Sequence, residues 1–168
     1  MESHPLRVFC QWLSETSLSQ LIQTSKWMIP LLQTTHILAI ALVFTSALLV
    51  NMRIWRLFDP DRPLPEIAAR FVPVIWRVLL VLLVTGALLI IAEPRRSLQN
   101  TSFYLKMTLL AAALLSLLVL QWSLRRDPNF WDKTVARRVV GRLAALGSTL
   151  IWCGVLFAGR WIAYTQVG

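Results

Sequence analysis

The segment Trp27-Met28-Ile29-Pro30-Leu31-Leu32-Gln33-Thr34-Thr35-His36-Ile37-Leu38-Ala39 opens a run that reaches Met52 without an Asp, Glu, Lys or Arg. About 20 apolar residues suffice for a helix to cross the hydrocarbon core of a bilayer. Three later stretches have the same character. Phe71 to Ala92 carries Arg77 alone, Met107 to Leu124 carries no charge, and Leu143 to Gly159 carries none before Arg160. Apolar character then resumes at Trp161, Ile162 and Ala163. Lipid leaves no partner for an open strand edge, so these stretches are expected to be helices.

Composition agrees. The chain has 168 residues, of which 57 % are hydrophobic and 15 % charged, and its mean hydropathy is +0.62. Ordinary soluble domains carry about 25 % charged residues. The expected fold class is all-α: a polytopic membrane four-helix bundle with an N-terminal interfacial helix. One integral-membrane domain covers 1–168, with an interfacial segment at 6–25 and spans at about 27–52, 71–92, 104–124 and 143–165.

The net charge of +9 does not point to nucleic acid, because the basic residues sit in the connections between apolar runs. Arg53, Arg56, Arg62 and Arg70 lie in one connection; Arg125, Arg126, Lys133, Arg137, Arg138 and Arg142 lie in another. They outnumber Arg7, Lys26, Arg95, Arg96 and Lys106 on the opposite side. The positive-inside rule then places the first set in the cytoplasm and both termini outside, in a bacterial inner membrane. The first span follows too long a leader, and lacks the small-residue cleavage site, to be a signal peptide. Before it, Leu6, Val8, Phe9, Trp12, Leu13 and Leu21 alternate with polar residues, as in a helix lying at the membrane surface. Ser14, Thr16 and Ser17 interrupt that pattern and could cap a second short helix. Packing of this segment over the bundle mouth explains the pattern equally well.

Cys10 and Cys153 form no CxxC or Cys/His cluster and read as small apolar side chains. Phosphate-loop, dinucleotide, HExxH and GxSxG motifs are absent. No paired carboxylates lie in the spans and no inverted repeat relates them, which argues against a transporter acting alone. Trp27, Trp76, Trp122 and Trp161 lie near span ends, where an aromatic belt accounts for them.

The informative positions are ionisable residues within the spans, which are costly unless they face protein or water. At about 1.5 Å per residue, His36 lies ~25 Å above Arg53 and Arg160 ~25 Å beyond Leu143. By the same rise, Lys106 lies ~28 Å from Arg125 and Glu93 ~33 Å beyond Phe71. Four ionisable groups from different spans therefore share a layer near the outer face. Gln33 lies on the His36 face at i,i+3, and Tyr164 on the Arg160 face at i,i+4. Lys106, Leu110, Ala113 and Leu117 form one stripe, and Ala111, Ala112 and Ala113 are small enough for close helix approach.

These residues admit two readings. His36 is a core histidine bonded to a carbonyl or to Gln33, or else a quinone hydrogen-bond donor, a haem ligand or a proton relay. Lys106 and Arg160 anchor to headgroups, or clamp an anionic group. Glu93 pairs with Arg95 or Arg96 in a loop, or joins the layer. The expected function is a redox or cofactor-binding membrane subunit, its pocket lined by Gln33, His36, Lys106, Arg160, Trp161 and Tyr164. The cofactor would be a quinone or haem b, with His36 a metal ligand only if haem is bound. The alternative is a non-enzymatic anchor or assembly subunit for a periplasmic or membrane partner. Membrane lipid is the expected surrounding in both cases, and oligomeric state and catalysis stay open.

The stretches Lys26–Pro30, Gln33–Ala39, Phe103-Tyr104-Leu105-Lys106-Met107 and Ala158-Gly159-Arg160-Trp161-Ile162-Ala163-Tyr164 resemble an uncharacterised bacterial family of small four-helix inner-membrane proteins, a domain of unknown function. A first-span His followed by a Lys opening a later span is also similar to CopD-type copper-resistance proteins and HemJ-type protoporphyrinogen oxidases. That second resemblance implies correspondence of His36 and Lys106 with those positions and, in the HemJ type, a haem.

Overall fold

The computed structural model describes residues 4–161. Seven helices follow in order among them: α1 His4–Ser14, α2 Ser17–Thr24, α3 Met28–Ile54, α4 Leu64–Ala92, α5 Pro94–Leu98, α6 Thr101–Arg126 and α7 Val135–Trp161. No strand occurs among the described residues. Four of the helices, α3, α4, α6 and α7, are long and apolar enough to cross a membrane. The protein is an all-α, bundle-like, multi-pass membrane protein.

The ends of these helices follow from local chemistry. Proline tolerates a first helical turn because its missing N–H has no partner there, and α4 opens on Pro63, Leu64 and Pro65, well before the strongly apolar stretch. The α7 helix likewise begins at Val135 rather than near Leu143. Arg137, Arg138 and Arg142 can reach out of the apolar layer on long stems, so the fall in hydropathy does not end the helix. Asn100 caps α6 by accepting from Ser102 N at 2.9 Å.

The end of α3 is unusual. Leu57 N donates to Met52 O at 2.9 Å and Arg56 N to Arg53 O at 3.0 Å. This is the paired closure in which the residue after the cap turns left-handed, usually a glycine. Here that residue is Arg56, with φ 64°.

α3 packs along α4, α6 along α7, and α7 joins the two pairs through α3. Val43, Ala47 and Val50 of α3 meet Val72 and Ile75 of α4, Ala113 and Leu117 of α6 and Trp152 of α7 in one core. Ala113 is fully buried whereas Ala111 is exposed, so one alanine of that run serves the interface. Asn51 Nδ2 donates to Thr149 Oγ1 at 3.0 Å, tying α3 to α7. The outward faces carry Leu38, Leu80, Leu83, Leu115, Leu118 and Leu150, as contact with lipid tails requires.

The two N-terminal helices close one end of the bundle. Thr16 caps α2 by accepting from Ser19 N. Ser19 Oγ donates to Ile91 O at 2.8 Å and Gln23 Nε2 to Ala92 O at 2.9 Å. The last carbonyls of a helix have no partner within it, so α2 completes the end of α4. Cys10 and Ile22 are buried, while Val8, Phe9, Trp12, Leu18 and Leu21 remain exposed. This segment therefore packs on the bundle through one face and presents an apolar face outward.

At the other end, Asp127 receives the Lys133 ammonium and also accepts from Asn129 N at 3.2 Å. The hydrogen bond from Lys133 is the main reason its carboxyl is held below the usual range. A carboxyl depressed on folding contributes stability above its unfolded pKa and loses it as pH falls through the folded value. Acid titration below pH ~4 is therefore expected to loosen the α6–α7 connection first. Asp127→Asn should remove that acid step in hydrogen exchange of the connection; an unchanged step in the variant would assign it elsewhere.

Candidate functional site

The end of the bundle closed by α1 and α2 holds His36 and Lys106, whereas Arg77 lies toward the start of α4. His36 lies in the third turn of α3, facing α4. Its Nδ1 is 2.8 Å from Thr85 Oγ1. Thr85 Oγ1 in turn donates to Val81 O at 2.7 Å, one turn back. The hydroxyl has one proton and spends it on Val81, so toward His36 it can only accept. In that arrangement Nδ1 donates to Thr85, and in the neutral ring Nε2 carries the lone pair. The ring also lies against Gly86: a Cβ there would sit 3.4 Å from His36 Cε1. Thr85 fixes the ring's orientation, and the ring packs against α4 at Gly86.

Lys106 comes from the second turn of α6 and is half-buried. It runs across α7 at Gly159, where a Cβ would lie 3.6 Å from both Cδ and Cε and 3.7 Å from Nζ. These are ordinary van der Waals distances, so Gly159 marks where the lysine stem packs on α7. His36 of α3 and Lys106 of α6 are each set against a glycine of a neighbouring helix, Gly86 of α4 and Gly159 of α7.

The other expected lining residues fall differently. Gln33 is exposed on α3, one turn before His36. Arg160 and Trp161 are exposed at the end of α7, next to the glycine that Lys106 crosses, and both are engaged with other groups. Tyr164 lies outside the described residues. Glu93 does not join the layer: it is the cap between α4 and α5 and accepts from Arg96 Nη1 at 2.9 Å. Gln121, near the opposite end, accepts from Trp76 Nε1 at 3.4 Å.

Sequence reasoning missed Thr85 and Gly86. Their signal is a hydroxyl followed by a glycine within the otherwise aliphatic stretch Val78 to Ile91. The arrangement supplies one imidazole lone pair and one cation in a largely apolar surrounding. It suits a ligand that offers an acidic hydroxyl or carries negative charge on oxygen. Among the described residues, no three His, Cys, Asp or Glu side chains gather into a metal-binding group.

No curated protein and no solved structure matches the chain significantly, so these comparisons do not extend to the CopD-type or HemJ-type proteins. A family match covers residues 9–165, which takes in all four apolar helices, His36, Lys106 and Gly159. The chain belongs to the family of unknown function DUF6644.

Proposed function

We propose that this protein is a bacterial inner-membrane subunit that binds a lipophilic quinone between His36 and Lys106, near the outer face of the bundle. The observation that carries the reading is the Thr85–His36 hydrogen bond, which leaves Nε2 as the ring's available atom. Metal and substrate imidazoles are commonly oriented by such a bond on the other nitrogen. Nε2 would accept the O–H of the reduced ligand, and Lys106 Nζ would donate to a ligand oxygen. In its reduced, quinol form such a ligand carries two hydroxyls on a flat apolar ring, one donating to Nε2 and the other accepting from Nζ, which matches an apolar site with two polar contacts. The charge balance of the connections supports a topology with both termini outside.

The same Nε2 lone pair suits haem iron, with Lys106 beside a propionate, and that is the second reading. An absorbance spectrum of detergent-purified protein, oxidised and then reduced, separates the two when extracted quinone is measured on the same sample. Near-stoichiometric quinone without a Soret band is the expected result. A Soret band that moves on reduction would favour haem. A colourless protein without quinone would overturn both and leave the anchor role, whose mark is co-purification with another chain.

A further inference from the structure

The far end of the bundle holds a second polar site built from different helices. A small, shallow cleft, open on one side, is bounded by the end of α3, the start of α4 and the first turns of α7. Arg53, Arg56, Arg138 and Arg142 line it, with Trp131 and one acid, Asp132. Arg53 is 6 % exposed, its Nε held by Arg62 O at 2.6 Å. Asp132 is committed to Arg56 at 3.4 Å. Arg138 Nε is fully buried and has no hydrogen-bond partner.

Four guanidiniums around one carboxylate leave a strong excess of positive charge. Burial closes Arg138 Nε to a ligand as well as to water, so Arg138 can meet an anion only through its terminal Nη groups. Arg56 occupies a left-handed position where glycine is the cheaper residue. Strain of that kind persists where the side chain serves a purpose.

We infer that this cleft binds a phosphate group, its oxygens accepting from Arg138 and Arg142 and facing Arg53 and Arg56. Guanidinium forks match tetrahedral oxyanions and carry their charge at any physiological pH. The cleft lies where α3 and α7 leave their apolar stretches, and Val140 and Leu143 are exposed on α7 beside it. A phospholipid could therefore place its headgroup in the cleft and its chains along α7. Free phosphate offers the same chemistry without the chains.

The test uses the full-length protein in nanodiscs and in detergent. Native mass spectrometry compares retention of phosphatidylglycerol with phosphatidylcholine, and thermal unfolding follows added inorganic phosphate. Preferential retention of phosphatidylglycerol, about tenfold or more from loss or gain of a charged hydrogen bond, identifies a lipid headgroup. Protection by inorganic phosphate without a lipid preference identifies the free anion. Either effect should fall about tenfold in R138Q/R142Q and persist in R77Q, which lies outside the cleft. Arg56→Gly is the second variant, because glycine relieves the turn and keeps the fold while removing one guanidinium. If the wild type shows neither preference nor protection, or if R56G and the double variant both match it, the inference is overturned.

Discussion

Replacing His36 by alanine is expected to lower retained quinone about tenfold or more, the worth of one hydrogen bond in a site shielded from water. The bundle should remain folded, because His36 is only half-buried and its loss removes no core packing residue. Lys106→Met should lower retention to a similar degree, since the stem beside Gly159 is kept while the donor is lost. Thr85→Val gives the more discriminating result. Valine cannot accept from Nδ1, so the ring is no longer held with Nε2 toward the ligand. Retention should fall several-fold and return in Thr85→Ser, which keeps the hydroxyl. Quinone extracted per protein and the thermal midpoint, measured on the same preparations, distinguish lost binding from lost fold. Unchanged retention in His36→Ala and Lys106→Met together would end the quinone reading.

The spans were legible because a bilayer makes a simple demand: long runs without charge. Trp27 to Met52 met it so cleanly that α3 matches to within two residues at its end. Helix starts were less legible. Leu64 and Val135 lie outside the apolar runs, and proline at a first turn or snorkelling arginines extend a helix beyond what hydropathy reports. Of the candidate site, depth alone was legible. Counting along a helix gives depth, and depth placed His36 and Lys106 in one layer. It does not give rotation. Glu93 has the right depth and turns instead to Arg96. Thr85 was invisible as a partner because its significance comes from α4 facing α3. The arginine cleft was hidden for another reason: Arg53, Arg138 and Arg142 were already explained by membrane topology, and topology says nothing about convergence.

Gly141→Leu is expected to destabilise α7 strongly. A Cβ at Gly141 would lie 3.0 Å from Trp131 Cε3 and 3.6 Å from its Cδ2, with Ile54 Cγ2 at 3.7 Å. The ring is poorly placed to yield. Its Nε1 donates to Ser123 Oγ at 2.9 Å, and Phe130 meets it edge-on with centroids 5.1 Å apart. Arg137 lies 4.5 Å over the Phe130 ring and extends the same stack. Forcing a large side chain into such a contact costs about 1–3 kcal/mol. Gly147, two turns on, provides the control, because a Cβ there meets nothing within 4 Å. Gly147→Ala should therefore raise stability by up to ~1 kcal/mol through helix propensity alone. The thermal midpoint in detergent should accordingly fall by several degrees in Gly141→Leu and hold or rise in Gly147→Ala. Tryptophan fluorescence should move in the first variant, since Trp131 must leave its place. Equal midpoints would mean that the α6–α7 connection yields freely, and that Trp131 does not fix the wall of the arginine cleft. A selective loss at Gly141 would instead make that wall a rigid element, set by one absent side chain.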